Sequence, residues 1–290
     1  MAPVMGRVLV TGHRGMVGRT VVPALEEADF EVVGLDLADG DDLTDPSVVR
    51  ARMAGCRFVV HLAALDEAPD ESGAIDPRST GDVASIIRTN VVGTAGLLAE
   101  AGVAGVERIA FLSSVDVLGC FMGQGQPAYL PIDDAQPVAP RGSYAWSKLA
   151  CEELLASYSA ATGGATVCLR APGVFDETTY EFIRSARSRN PSSEWLPFWE
   201  YGAFLDVRDL ASAAVAVLTV PDLVGHHRVL VNADDISSSS EEGVGMAGRL
   251  LPDVPFRRSD RFIGDRWAAL VDNVGARKLL DWTPRYRWRP

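Results

Sequence analysis

Short apolar runs alternate along this chain with longer segments whose apolar residues recur every three or four positions. Val8-Leu9-Val10 is an unbroken apolar run, as expected of a strand buried on both faces. TVVPALEEA, after Gly18, has the spacing of a one-sided helix. The rhythm then repeats. A strand is predicted over 31–35, ending at Asp36, and a short helix over 46–53. A third strand covers 57–61, a long helix 82–101 and a fourth strand 108–113. A second long helix covers 143–160, and a fifth strand 166–170. Strands alternating with helices predict an α/β fold, a doubly wound parallel sheet with helices on both faces.

The rhythm is interrupted in three places. Residues 119–141 are rich in Gly and Pro and read as a loop near a site. Residues 172–202 and 234–290 lack clean periodicity and are assigned to a small substrate-binding lobe, leaving 1–171 and 203–233 to the sheet domain. The serine run 237–240 reads as a helix start, with Glu241 and Glu242 in the first turn.

Gly12, Gly15 and Gly18 fall on the turn between the first strand and the first helix. In that context glycines allow a tight turn, close approach of a pyrophosphate and close helix–strand packing. The first free N–H groups of the helix then face phosphate. Gly12, Arg14, Gly15, Met16 and Gly18 are therefore candidate dinucleotide contacts.

Asp36 stands 18 residues beyond Gly18, where a carboxylate accepts hydrogen bonds from the adenine-ribose hydroxyls and repels a 2′-phosphate. Arg14 points the other way, because an arginine in this loop can bind that phosphate. The position of Asp36 facing the ribose favours NAD over NADP.

Composition narrows the partners. The 290 residues carry 27 Lys and Arg against 39 Asp and Glu, a net charge of −12. That balance argues against nucleic acid or an anionic membrane as partner. No apolar run approaches a membrane span, and the start MAPVMG leads straight into the first strand, so a cytoplasmic location is expected. Cys56, Cys120, Cys151 and Cys168 show no CxxC spacing. Reduced thiols are expected, and no metal site.

Tyr144 and Lys148 are four apart on a predicted helix and share a face. A free tyrosine, with a pKa of about 10, is a poor base near neutrality. A nearby ammonium favours its phenolate, which can then take a proton from a substrate hydroxyl. Ser113 and Ser114 end the fourth strand, at the carboxyl edge of the sheet where ligands bind.

These motifs occur in a fixed order with GDDLTD, HLAA at 61–64, NVVGT at 90–94, SSVDVLG at 113–119, FLDVRDLA at 204–211 and LLDWTP at 279–284. Together they resemble the extended short-chain dehydrogenase/reductase family, the NAD-dependent epimerases and dehydratases, over nearly the whole chain. The resemblance implies a Rossmann-type fold and makes Ser114, Tyr144 and Lys148 the catalytic triad. It places Asp42 and Leu43 at the adenine, and Leu62, Ala63 and Ala64 along the cofactor. Asn90 falls behind the cofactor, Pro172 at the nicotinamide, and Lys148 on the nicotinamide ribose. It also implies a homodimer through the two long helices. GHRGMVG alone is similar to the loop of NADP-dependent GDP-fucose synthases, a local likeness.

The substrate is less legible. Asp116, two residues after Ser114, keeps a dehydratase reading open, although a substrate-binding or structural role is the commoner one. Gly173 and Gly202 stand where nucleotide-sugar epimerases resembling this chain carry gripping side chains. Arg184, Arg187, Arg189, Arg257 and Arg258 remain as possible substitutes. The short C-terminal segment looks more like uronate dehydrogenases. Ser114, Val115, Asp116, Gly173, Trp195 and Trp199 are candidate substrate contacts, with Tyr201 beside them, since aromatic faces suit sugar C–H groups. The expected activity is NAD-dependent oxidation or reduction of a sugar or sugar acid. A nucleotide-sugar epimerase or dehydratase is the alternative, and a non-catalytic NAD(P)-binding regulator the second.

Overall fold

In the computed structural model, residues 5–66, 83–191, 201–238, 241–257 and 261–289 are described. Strand β1 (Gly6–Thr11) leads into helix α1 (Gly18–Glu27), β2 (Phe30–Leu35), α2 (Pro46–Met53) and β3 (Cys56–His61). Next come α3 (Val83–Ile86), a π-helical turn (Ile87–Val92), α4 (Gly93–Ala104), β4 (Arg108–Ser114), α5 (Ser143–Thr162) and β5 (Ala165–Ala171). The chain continues through β6 (Val174–Phe175), α6 (Glu177–Arg189), β7 (Leu205–Asp206), α7 (Val207–Thr219) and β8 (His226–Leu230). Helices α8 (Gly243–Leu250), α9 (Arg261–Gly264) and α10 (Val274–Leu280) complete it.

Six strands form a parallel sheet in the order β2-β1-β3-β4-β5-β8. Side chains alternate across it, as the period of a strand requires. Val8 and Val10 face α1 and α7 through Val21, Leu25, Leu210 and Val217. Leu9, Val59, Ile109 and Phe111 face the other way, onto Met53 of α2, Leu97 and Ala101 of α4, and Leu155 of α5. Both faces are covered, so the doubly wound arrangement read from the sequence is present. Chain order reverses between β1 and β3, which opens a crevice at their carboxyl ends.

Several readings change. β8 begins His226-His227-Arg228 and gave no apolar signal. It is an edge strand, half exposed over those three residues, so it needs no continuous apolar run. The segment read as one helix from 82 contains the π turn at 87–92. Residues 119–141 form no long element, yet Phe121, Leu130 and Ile132 are fully or almost fully buried with Leu270 and Val271 in a third apolar cluster. The helix expected at the serine run starts later. Glu242 is the N-cap of α8, and Ser238 Oγ accepts the Glu241 N–H at 3.1 Å. Glu241 and Glu242 therefore precede the first turn rather than occupy it.

Two buried polar networks cross these layers. His61, at the end of β3, lies between Thr11 Oγ1 at 2.6 Å and Thr94 Oγ1 at 2.8 Å. Thr11 Oγ1 already accepts the N–H groups of Leu62 and Ala63 at 3.2 Å, and the Thr94 hydroxyl donates to the Asn90 carbonyl. Each hydroxyl proton then has one place to go: Thr11 donates to Nδ1, and His61 donates from Nε2 to Thr94. In the second network Glu152 accepts Arg170 Nε at 2.9 Å, Arg170 Nη2 at 2.7 Å and Ser113 Oγ at 2.6 Å. Arg228 Nε stands 3.1 Å from the same carboxylate. Removing one partner from such a pair leaves a buried charge uncompensated.

Burial, with Lys148 close by, lowers the His61 pKa to about 3. The unfolded chain protonates this histidine below about 6.5, whereas the fold keeps it neutral, so its contribution is lost as pH falls from about 6.5 toward about 3. His61→Asn should destabilise the protein by roughly 2–4 kcal/mol at neutral pH, because it leaves buried hydroxyls unpaired. Its stability should also fall less steeply than the wild type's between about pH 6.5 and pH 5. Urea unfolding across that range measures both effects, and parallel curves would remove His61 from the acid sensitivity.

Candidate functional site

The β1–α1 turn lies at the reversal of strand order. Gly12 has φ +71°, and a Cβ there would stand 2.9 Å from the Ala63 nitrogen. The turn therefore packs directly on the segment after β3. A Cβ on Gly18 would meet the Gly12 carbonyl oxygen at 2.3 Å, so the helix start closes on its own loop only with glycine. At Gly15 the neighbour found within 4 Å of such a Cβ is that same oxygen, at 3.3 Å. The cradle fits a pyrophosphate: two glycines bring backbone together and the third leaves an open side.

Asp36 ends β2 beside this turn. Its Oδ2 accepts the Arg14 N–H at 2.9 Å and its Oδ1 accepts the Ala38 N–H at 2.9 Å. Burial works to raise its pKa, but those two N–H groups and the nearby His13 and Arg14 side chains outweigh it, and the carboxyl stays below its ordinary range. It is thus an ionised acceptor positioned for ribose hydroxyls. The Arg14 guanidinium turns to Asp39, with Nη2 2.5 Å from Oδ1. Asp42 Oδ1 accepts the Thr44 N–H and hydroxyl, both at 2.8 Å, which lowers the Asp42 pKa.

The residues expected to carry the chemistry lie on β4 and α5. Lys148 is buried and its Nζ donates to the Leu112 carbonyl at 2.7 Å. That nitrogen is 5.4 Å from the centre of the Tyr144 ring and 4.9 Å from that of Phe111. Burial drives the Lys148 pKa down to about 8, against the opposing influence of Cys151, Asp66, Cys168 and Glu152. Ser114, at the end of β4, donates to Asp116 Oδ2 at 3.0 Å and accepts the Asp116 N–H at 3.1 Å. The arrangement suits proton removal from a hydroxyl: a phenol beside a buried cation, with a hydroxyl on the adjoining strand.

Asn90 holds the segment after β3 in place. Its Oδ1 accepts the Leu65 N–H at 2.7 Å, and its Nδ2 donates to the Leu65 carbonyl and to Ser147 Oγ, both at 2.9 Å. Ser147 in turn donates to the Tyr144 carbonyl at 2.7 Å. Leu62 and Ala63 are half-buried on that segment, and Ala64 is exposed. Leu43 is buried, and a Cβ on Gly93 would touch its side chain at 3.0 Å. Pro172 is buried and Gly173 half-buried just beyond β5. The Val115 side chain packs in the third apolar cluster rather than at a surface. Tyr201 joins that cluster against Phe121, with ring centres 5.3 Å apart, and its hydroxyl donates to the Cys120 carbonyl. Trp195 and Trp199 lie outside the described residues.

His61, Asp39 and Glu152 were missed as contributors to this region. HLAA drew attention to the three residues after the histidine. Asp39 and Glu152 sit in ordinary polar positions of a turn and a helix, and their partners are distant in sequence.

The sequence profile of the NAD dependent epimerase/dehydratase family matches residues 8–232. Among curated proteins, the UDP-glucose 4-epimerase of Rhizobium meliloti (strain 1021) is 26% identical over 257 residues, covering 79% of this chain and 73% of that protein. The NAD-dependent glucose-6-phosphate dehydrogenase of Haloferax volcanii is 29% identical over 169 residues, 51% of this chain and 60% of that protein. The matched region spans about half the length of several other curated relatives. Among solved structures, UDP-glucose 4-epimerase from Brucella ovis in complex with NAD superposes with a TM-score of 0.70 at 24% identity. It covers 97% of this chain and 94% of that one, a likeness of fold.

The depressed lysine pKa has a measurable sign. Between about pH 8 and 10.5 the unfolded chain keeps the Lys148 proton and the folded chain releases it, so the wild type gains stability as pH rises through that window. Relative to Lys148→Met, the gain should reach at most about 1.4 kcal/mol per pH unit. Urea unfolding of both proteins from about pH 7 to pH 10 tests this. A difference that stays constant across the series would return Lys148 to an ordinary pKa.

Proposed function

We propose that this chain, which belongs to the NAD-dependent epimerase/dehydratase family, oxidises a secondary hydroxyl of a sugar-type substrate with NAD. The carrying observation is the placement of Lys148 between the Leu112 carbonyl of β4 and the Tyr144 ring of α5. The cradle at Gly12, Gly15 and Gly18 holds the pyrophosphate, and Asp36 reads the adenine ribose. Bound NAD supplies a hydride acceptor. Tyr144, as phenolate, takes the hydroxyl proton while the C–H electron pair leaves the carbon as hydride, so a carbonyl forms. Lys148 favours the phenolate by its charge. Ser114 turns from Asp116 to hold the reacting oxygen.

The carbonyl product has two fates. Release makes the protein a dehydrogenase; return of hydride to the opposite face makes it an epimerase. We favour release from a substrate without a nucleotide diphosphate. A diphosphate needs cations or donors, and four of the candidate arginines have other contacts among the described residues. Arg184 lies 5.3 Å from the ring centres of both Tyr180 and Trp288. Arg187 lies 5.0 Å from that of Trp288 and donates to the Ser237 carbonyl. Arg257 stacks 3.6 Å over Tyr129, and Arg189 donates to its own helix at the Ser185 carbonyl, 3.3 Å away. Arg258 lies outside the described residues. The second reading, a nucleotide-sugar epimerase, is favoured by the likeness to the Rhizobium meliloti enzyme.

NADH should accumulate with free aldoses or uronic acids, and UDP should inhibit weakly or not at all. Tyr144→Phe should bind NAD and lose about 10²–10⁴ in turnover. Absorbance of NADH over a panel of sugars, with Tyr144→Phe as the blank, makes the measurement. Interconversion of a UDP-sugar without net NADH, together with competitive inhibition by UDP, would establish the epimerase instead.

A further inference from the structure

The Gly-rich turn places an arginine beside the ribose-reading carboxylate, a pairing that sends opposite signals about a 2′-phosphate. The structure contains a device that reconciles them. Asp36 accepts the backbone N–H of Arg14, so residue 14 is fixed over the ribose corner. Asp36 also caps the short 3-10 turn Leu37–Asp39 through the Ala38 N–H. That turn closes on Gly40 at φ +85°, and it presents Asp39 to the Gly-rich loop. One Asp39 oxygen stands 2.5 Å from Arg14 Nη2, the other 3.1 Å from His13 Nε2. His13 is itself confined, since a Cβ on Gly34 would lie 2.5 Å from its ring.

We propose that Asp39 is a cofactor-selectivity residue: it clamps the Arg14 guanidinium and withholds it from a 2′-phosphate. This rests on the reading of the loop as a dinucleotide site. Asp36 alone disfavours the phosphate by repulsion, but a free arginine 22 residues upstream in sequence would offset that repulsion with a charge-assisted hydrogen bond. Asp39 removes the offset and adds a second carboxylate at the same corner. The Arg14 side chain is 58% exposed and that of Asp39 24%. A pair so exposed adds little to folding, so Asp39 can be replaced without unfolding the turn, and the Arg14 guanidinium is then left free of it. His13 turns its Nε2 to the same carboxylate, at 3.1 Å, and so joins Asp39 to the loop at a second point.

The test is direct cofactor binding, with no substrate present. NAD and NADP are titrated against the full-length protein by calorimetry, and the readout is the ratio of the two dissociation constants. In Asp39→Ala the preference for NAD should fall about tenfold. In the double variant Arg14→Ala/Asp39→Ala most of that change should disappear, leaving less than about threefold. The NADP affinity gained in Asp39→Ala should weaken with salt, as a newly freed cation requires. Asp39→Asn, which preserves shape, should shift the ratio in the same direction, and melting temperatures of all variants report folding. An unchanged ratio in both single variants at Asp39 overturns the clamp. So does an equal shift in the presence and absence of Arg14, which would mean simple charge removal. Failure of the wild type to bind either nucleotide would instead defeat the reading of the loop.

Discussion

The tie between the carboxyl ends of β1 and β3 and the start of α4 supports what is built above them. Beyond the backbone pairing of the two strands, Thr11, His61 and Thr94 join them to α4 by a directed chain of hydrogen bonds through a neutral, buried imidazole. Such a network is costly if half satisfied and rigid if complete. Here each hydroxyl has its donor and acceptor assigned, and the Leu62 and Ala63 N–H groups are drawn onto Thr11. The same residues approach Gly12 so closely that no side chain fits between. The shape of the Gly-rich turn is therefore a by-product of how two strands and one helix are tied together below it.

A second buried network supports the chemical side. Glu152 lies one helical turn beyond Lys148 and receives Arg170, Ser113 and Arg228 from three strands. It ties α5, which carries Tyr144 and Lys148, to β4, which carries Ser114, and to β5 and β8 beside it. This buried ion cluster is less a source of stability than a means of fixing register between helix and sheet. The Lys148 bond to Leu112 and the Asn90 bonds to Leu65 and Ser147 then align the first turns of α5 with the sheet edge.

β1, β3, β4 and β5 were legible because an interior strand buried on both faces is largely apolar, and β2, the other edge, because Val32, Val33 and Leu35 keep a short apolar signal despite Glu31. β8 was not, because half of it meets solvent and begins with two histidines and an arginine. The glycines, Asp36, Ser114, Tyr144 and Lys148 were open to proposal from the sequence because the chemistry expected of them depends on local spacing or on the end of a strand. Asp39, Glu152 and His61 were not. Each acts through partners at least 18 residues away, and nothing in a polar turn, a helix face or a strand end specifies which partner it meets. The chain outside the strand–helix repeats resisted reading for a related cause: segments near 121, 130, 203 and 270 share one apolar cluster, and no single segment shows its period.

The π turn at Ile87–Val92 carries a further consequence. A π turn accommodates one residue more than the α-helical ladder would hold. Each residue advances an α-helix by about 100°, so α3 and α4 follow different angular phases although the chain runs straight through. Asn90 is on the widened turn, where its side chain reaches sideways to Leu65 and Ser147 while Leu97 and Ala101 still face the sheet. Removing a single residue here would be unlike trimming a surface loop. It would rotate one half of the segment against the other and force a choice between packing the sheet and holding the site. The segment behaves as a vernier: its length, as much as its composition, is constrained.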